Sequence, residues 1–187
     1  MGELTELLRR ANAGDETARQ ELFAVAYEEL RVQARARLRE GGRNTLLDTA
    51  ALVHESFLRF QKAGRLRVGD RGHFFSYAAS VMRSVIVDFA RQRQAQRRGG
   101  DAAHVTLDTE LAETLAAEEA QVIGVHEVLA RLESTDPRLA RIVEMRFFAG
   151  MGEAEIGEAL GVTRRTVRRD WERARLLLSA ALRPDPR

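Results

Sequence analysis

The apolar positions of this chain recur three and four residues apart, and no stretch of useful length alternates with period two, so helices are expected throughout. Gly14-Asp15 reads as a helix end followed by a new N-cap. A long helix is then expected from Asp15 to about Arg39, with Leu22, Ala26, Leu30, Ala34 and Leu38 on its buried side and Gly41-Gly42 as its stop. Asp48 or Thr49 caps the next helix, which reaches Lys62 with Leu52, Val53, Ser56, Phe57 and Phe60 as its periodic face. A basic, glycine-containing loop runs from Gly64 to Gly72. The helix after it spans about His73 to Arg98, apolar early and basic late, and Gly99-Gly100 ends it. A second helical unit begins near Gln121. Within it Asp136-Pro137 supplies a capping aspartate and a proline at the first helical position, followed by the stripe Leu139, Ile142, Val143, Arg146 and Phe147.

The sharpest pattern is EAEIGEALGVTRRTVRRDWERARLLL, residues 153–178. Ile156 and Leu160 share one face of a short helix, and Gly157 between them permits a close approach. Gly161 suits the left-handed position that ends a helix, and Thr163 caps the next one. Val167, Trp171, Ala174 and Leu178 then form a single apolar stripe. At about 100° per residue, Arg165 and Arg169 point nearly opposite that stripe, with Arg164, Arg168, Glu172 and Arg173 beside them. A short helix, a glycine turn and an arginine-faced helix are the helix-turn-helix pattern, whose second helix enters the major groove of duplex DNA. Arginine grips guanine through two hydrogen bonds, and glutamate accepts from cytosine.

Charge distribution sharpens this picture more than net charge does. The formal balance of the 187 residues is only +2, but Lys62 is the sole lysine among the basic residues. From Asp101 to Gln121 the acidic residues Asp101, Asp108, Glu110, Glu113, Glu118 and Glu119 stand without a single Lys or Arg, which reads as an inter-domain linker with some helix near its end. In 73–98, HFFSYAASVMRSVIVDFARQRQAQRR, aromatics precede Arg83, Arg91, Arg93, Arg97 and Arg98. Rings beside cations suit single-stranded DNA, whose bases stack while the backbone is neutralised. Phe74, Tyr77, Val81, Val85 and Phe89 equally fit core spacing, so which aromatics stack and which pack stays open. The chain has no cysteine, hence no disulfide or cysteine metal site. It also has no apolar run long enough for a membrane span and no signal-peptide core, so no membrane insertion and a cytoplasmic location are expected.

Taken in series, these stretches resemble the extracytoplasmic-function (ECF) sigma factors of bacterial RNA polymerase. DTAALVHESFL, residues 48–58, resembles their polymerase-docking helix, and SVMRSVIVDFAR, residues 80–91, resembles their promoter-melting helix. Residues 132–178 resemble their C-terminal domain, and ALVHESFLRF, RGHFFSYAASVMRSVIVDFARQR and TVRRDWERARLLL are especially close to one bacterial subgroup. The resemblance covers almost the full chain in the right order. It implies an all-α fold of two small helical domains joined by an acidic linker: residues 1–98 for polymerase docking and minus-ten recognition and melting, 99–120 as linker, and 121–187 carrying the helix-turn-helix.

It also implies roles. Asp48, Leu52, Val53, His54, Glu55, Phe57 and Leu58 match the helix that docks on the coiled coil of the polymerase's largest subunit. Arg65 to His73, including Arg67 and Arg71, match the loop that captures a flipped minus-ten base. Phe74, Tyr77, Arg83, Asp88 and Arg91 lie in the stretch that binds and opens the minus-ten element, as single strand. Arg164, Arg165, Arg168 and Arg169, with Glu172 and Arg173 on the same face, match the helix that reads the minus-thirty-five duplex. Ala51 stands where many relatives carry an acidic residue, His54 where they carry glutamine, and Tyr77 where they carry tryptophan. Members of that family are commonly held by anti-sigma proteins, and the sequence identifies none.

The expected function is promoter-specific initiation by core RNA polymerase, with no catalytic residue, metal or cofactor in this chain. The alternative is a stand-alone helix-turn-helix regulator, which would bind palindromic sites without polymerase. An enzyme is disfavoured: His54 and Glu55 are adjacent and diverge on a helix, and His73 has no His-rich partner.

Overall fold

Gly14, at φ 94, closes the first helix in a conformation that favours glycine, and Asp15 opens the second by accepting the Ala18 N–H at 3.0 Å. The computed structural model describes residues 3–40, 49–62, 71–98 and 109–182. Its helices are α1 Glu3–Asn12, α2 Glu16–Glu40, α3 Thr49–Lys62, α4 Arg71–Arg98, α5 Thr109–Thr135, α6 Pro137–Val143, α7 Glu153–Leu160 and α8 Arg164–Ala181, with a π-turn at Glu144–Phe148 after α6. No strand occurs among the described residues. The fold is all-α, as expected. The candidate residues Asp48, Arg65 and Arg67 lie outside the described residues, as do the glycine pairs 41–42 and 99–100.

Helix α4 organises the packing. Phe74, Phe75, Ala78, Ala79, Val81, Met82, Val85, Ile86, Val87 and Ala90 are all buried, which is more than one face of a helix can hold. A helix apolar around most of its circumference must be covered on several sides. Here α3, α5, the π-turn and α7 all pack on it, while α1 packs on α2 and α2 on α3. The aromatic cluster follows: Phe60 of α3 meets Phe74 at 5.6 Å and Tyr77 edge-on at 4.9 Å between ring centroids. Leu22, Ala26, Leu30 and Ala34 form the buried side of α2, and Leu52, Val53, Ser56 and Phe60 that of α3, as their spacing predicts.

Two stretches depart from the simple periodic reading. Of the expected linker, residues 109–120 already belong to α5, which starts at Thr109 rather than near Gln121. The Ala, Glu and Leu content of this run is strongly helix-forming. Its acidic side is not wholly solvated either, because Glu119 is fully buried. After α6 the wider π-turn advances the buried stripe by one residue. Met145 and Phe148 are buried, whereas Phe147, expected on the core face, is half-exposed.

Candidate nucleic-acid interface

Helices α7 and α8 are held at a fixed angle by the turn between them. Gly161 lies in the left-handed region at φ 64, donating its N–H to the Glu158 carbonyl at 3.3 Å while Val162 donates to the Gly157 carbonyl at 2.9 Å. This paired closure is the Schellman arrangement, which satisfies the Gly157 and Glu158 carbonyls at the helix end. A Cβ on Gly157 would stand 2.8 Å from the Val162 carbonyl oxygen. The small residue thus admits the backbone of the turn itself. Thr163 then starts α8, its hydroxyl accepting the Thr166 N–H at 3.2 Å.

Val167, Ala174 and Leu178 are buried as the stripe requires, and Trp171 is half-buried under the Arg146 guanidinium, 5.9 Å from its ring centroid. Asp170 is buried too, which the arginine-rich reading of this helix overlooked. It stands three residues after Val167 and four before Ala174, so helical spacing alone puts it on the core side. Its carboxylate takes Arg138 of α6 at 2.9 Å and Arg169 at 3.1 Å.

All six candidate residues of α8, Arg164, Arg165, Arg168, Arg169, Glu172 and Arg173, are exposed and share the outer side. Their pairings differ. Arg164 meets Glu153 at 3.1 Å, Arg168 meets Glu172 at 3.4 Å, and Arg173 meets Asp136, the cap of α6, at 3.1 Å. Arg165 has no ion pair among the described residues. Exposed pairs of this kind are weak and screened by salt.

The candidate residues of α4 are less uniform. Arg71 is exposed, lies 4.8 Å from the Phe75 ring centroid and faces Glu158 of α7 at 3.8 Å. The start of α4 presses on α7 so closely that a Cβ on Gly72 would stand 2.2 Å from the Ala159 carbonyl oxygen. Phe74 is entirely buried, as the core reading of its spacing has it. Tyr77 is half-buried, and desolvation pushes its hydroxyl pKa up. Arg83 is only 16% exposed and is held by Glu133 at 2.6 Å and Glu144 at 3.1 Å. Asp88 is paired with Arg59 of α3 at 2.9 Å, and Arg59 also donates to the Ser84 hydroxyl. Arg91 is exposed. The contacts of Arg59 with Asp88 and Ser84 carried no signal in the sequence, because those partners come from the neighbouring helix.

On α3 the candidate docking residues separate by face. Leu52 and Val53 are buried in the core, which corrects their assignment to a surface. His54 is exposed, while Glu55, Phe57 and Leu58 are half-buried. Glu55 reaches Arg59 at 3.4 Å, and Phe57 meets Tyr27 of α2 edge-on at 5.4 Å. Among the described residues no cluster of His, Cys, Asp or Glu is arranged to hold a metal, and no helix is long and apolar enough to cross a membrane.

Comparison with known proteins agrees with this arrangement. A family model described as ECF sigma factor matches residues 1–184. No curated protein and no solved structure matches the chain. A match over nearly the whole length, on a helical chain that ends in an arginine-faced helix-turn-helix, shows that this chain belongs to the ECF sigma factor family.

Proposed function

We propose that this chain directs core RNA polymerase to promoters through two DNA-binding surfaces, α8 on the duplex upstream element and α4 with its preceding loop on the opened minus-ten strand. Family membership implies promoter-specific initiation with RNA polymerase. The division of labour is the proposal: residues 1–98 dock and open, 99–120 connect, and 121–187 read upstream.

The observation that carries this reading is the outer side of α8. Four arginines fill the first two turns of a helix whose opposite side is anchored by Val167, Asp170, Ala174 and Leu178. A rigid helix with its guanidiniums outward can enter a major groove without rearrangement. On α4, Arg71 and Arg91 offer charge and Tyr77 offers a half-buried ring, supporting strand capture by stacking and neutralisation. His54, Glu55, Phe57 and Leu58 are the docking residues of α3, on the largest subunit's coiled coil. The chemistry of nucleotide addition belongs to the polymerase, and this chain supplies no catalytic group, cofactor or metal. An anti-sigma protein is a further proposed partner, since the family is commonly regulated that way.

The test is run-off transcription from a promoter library with core polymerase, with and without this protein. Selective initiation when it is added supports the reading. Binding to palindromic duplexes without polymerase, and no stimulation of transcription, would replace it with a stand-alone regulator.

A further inference from the structure

We propose that the packing of α5 and the π-turn against α4 is an autoinhibited state, in which the carboxylates of Glu119, Glu133 and Glu144 occupy arginines that α4 offers to DNA when this contact opens. The inference rests on the reading of α4 as the strand-binding helix, and it assigns that surface an internal competitor.

The pairs are laid out in order along two helices. Near the middle of α4, Arg83 meets Glu133 from the last part of α5 at 2.6 Å and Glu144 at the head of the π-turn at 3.1 Å. Further along α4, Arg93 meets Glu119 from the middle of α5 at 3.4 Å, and Arg97 donates to the same carboxylate. Residue numbers rise on α4 as they fall on α5, so the helices run antiparallel, with anions facing cations over about 20 Å at 1.5 Å per residue. A carboxylate and a phosphate oxygen present the same acceptor to a guanidinium, and one guanidinium cannot hold both in the same geometry.

Tyr77 borders the same contact. It lines a cleft with Ser80 of α4, Glu133 of α5, Pro137, Ala140 and Arg141 of α6, and Glu144 of the π-turn. Strand capture at Arg83 therefore has to displace Glu133 and Glu144. At the other end, the near-touching backbones of Gly72 and Ala159 bring the start of α4 against the helix-turn-helix.

The contact is also built to be reversible. Glu119 and Glu144 each keep one buried carboxylate oxygen, Oε1, without hydrogen-bond geometry, although an arginine nitrogen lies near it. Buried charges held so incompletely are costly, and water or DNA relieves that cost when the helices part. Polymerase docking on α3, which packs directly on α4, supplies a route by which a partner could favour the open state.

The experiment uses the full chain and a fluorescein-labelled pool of random single strands of about 30 nucleotides, a length ample for one binding groove. E119Q/E133Q removes two of the three competing carboxylates and is compared with E16Q/E28Q, which removes two carboxylates from exposed pairs on α2. Binding by E119Q/E133Q should be about tenfold tighter than wild type, and E16Q/E28Q should stay within about twofold. Its α4–α5 amides should also exchange hydrogen faster than those of wild type. Since Glu119 is buried, E133Q alone is measured as well, and a gain of about threefold is expected there. Equal gains in the E119Q/E133Q and E16Q/E28Q proteins, or none in E133Q with its helical circular dichroism intact, would overturn the inference while leaving the promoter-reading role untouched. Failure of the underlying reading shows in a different arm: wild-type protein with core polymerase would not transcribe selectively, and the autoinhibition inference would fall with it.

Discussion

The guanidinium of Arg138 on α6 lies 2.9 Å from the buried carboxylate of Asp170 on α8. This pair ties the helix that carries the arginine face to the helix that begins at Asp136-Pro137. The same carboxylate also takes Arg169 at 3.1 Å, so one anion serves the anchored side and the edge of the arginine-bearing side together. Replacing Arg138 by alanine leaves Asp170 with a weaker set of partners. The expected cost is on the order of 1–3 kcal/mol in chemical denaturation, with upstream-element binding weakened in parallel. An unchanged denaturation midpoint would show that Arg169 alone satisfies the carboxylate.

Arg165 and Arg164 should behave differently although they are neighbours. Arg165 is unpaired among the described residues and points away from the core stripe, whereas Arg164 is already turned toward Glu153. Arg165→Ala should cost holoenzyme binding about 1–3 kcal/mol and relax preference at one upstream position. Arg164→Ala should weaken binding evenly across sequences and lower the salt slope by about 1, as loss of a phosphate contact does. Titrations on a panel of upstream variants at several salt concentrations separate the two. An Arg165→Ala protein with unaltered sequence preference would reassign the reading side of α8.

Docking and stability should separate on α3. Leu52→Ala removes a fully buried side chain and is expected to cost about 2–5 kcal/mol of stability, whatever happens to polymerase binding. His54→Asp alters an exposed position of the same helix, so the melting temperature should hold while co-purification with core polymerase falls. Retained co-purification at wild-type levels would move docking away from this face.

Glu144 gives the fold a pH dependence of defined sign. Burial raises its carboxyl pKa to about 7; Arg83 and Arg141 pull it down, and Glu133 adds to the rise. The folded chain thus binds this proton more tightly than the unfolded chain does. The associated stability is full below the ordinary value of 4.5 and is lost as pH rises through about 7. His126 acts in the opposite sense. Burial first, then Arg83 and Arg91, lower its pKa, so its contribution is present above the ordinary value and lost as pH falls. Denaturation midpoints of wild type and Glu144→Gln between about pH 5 and 8 isolate the carboxylate. Wild type should lose stability relative to Glu144→Gln as pH rises, and parallel curves would remove Glu144 from the account.

Gly161 holds the left-handed position of the turn. Its φ of 64 is one that a side chain disfavours, so Gly161→Ala should cost about 1 kcal/mol in thermal unfolding. Gly157→Ala should disturb the turn further, because its Cβ would stand 2.8 Å from the Val162 carbonyl oxygen. Its upstream-element binding should fall more than that of Gly161→Ala. The reverse order would mean that the turn yields more easily than the backbone contact implies.

Much of this molecule was legible along the chain because its signals are local. Caps at Asp15, Asp136 and Thr163, the glycine ends at Gly14 and Gly161, and the stripes of α2, α3 and α8 each depend on residues a few positions apart. The outward arginines of α8 were legible for the same reason, since helical geometry alone separates them from Val167, Ala174 and Leu178. Leu52, Val53 and Phe74 mark the limit. Motif resemblance drew them into docking and strand-binding sets, while burial in the core is what their apolar spacing already allowed.

Only the tertiary structure decided which charges meet. That Arg83 faces Glu133 and Glu144, Arg93 and Arg97 face Glu119, Arg59 faces Asp88, and Arg138 faces Asp170 depends on how separate helices lie against one another. Secondary structure follows from interactions within about one helical turn, which spacing and capping display directly. Charge pairing across helices follows from packing distances and desolvation, to which residues far apart in sequence contribute together. The same physics turned the acidic run of the expected linker into part of α5, with Glu119 buried against the arginines of α4.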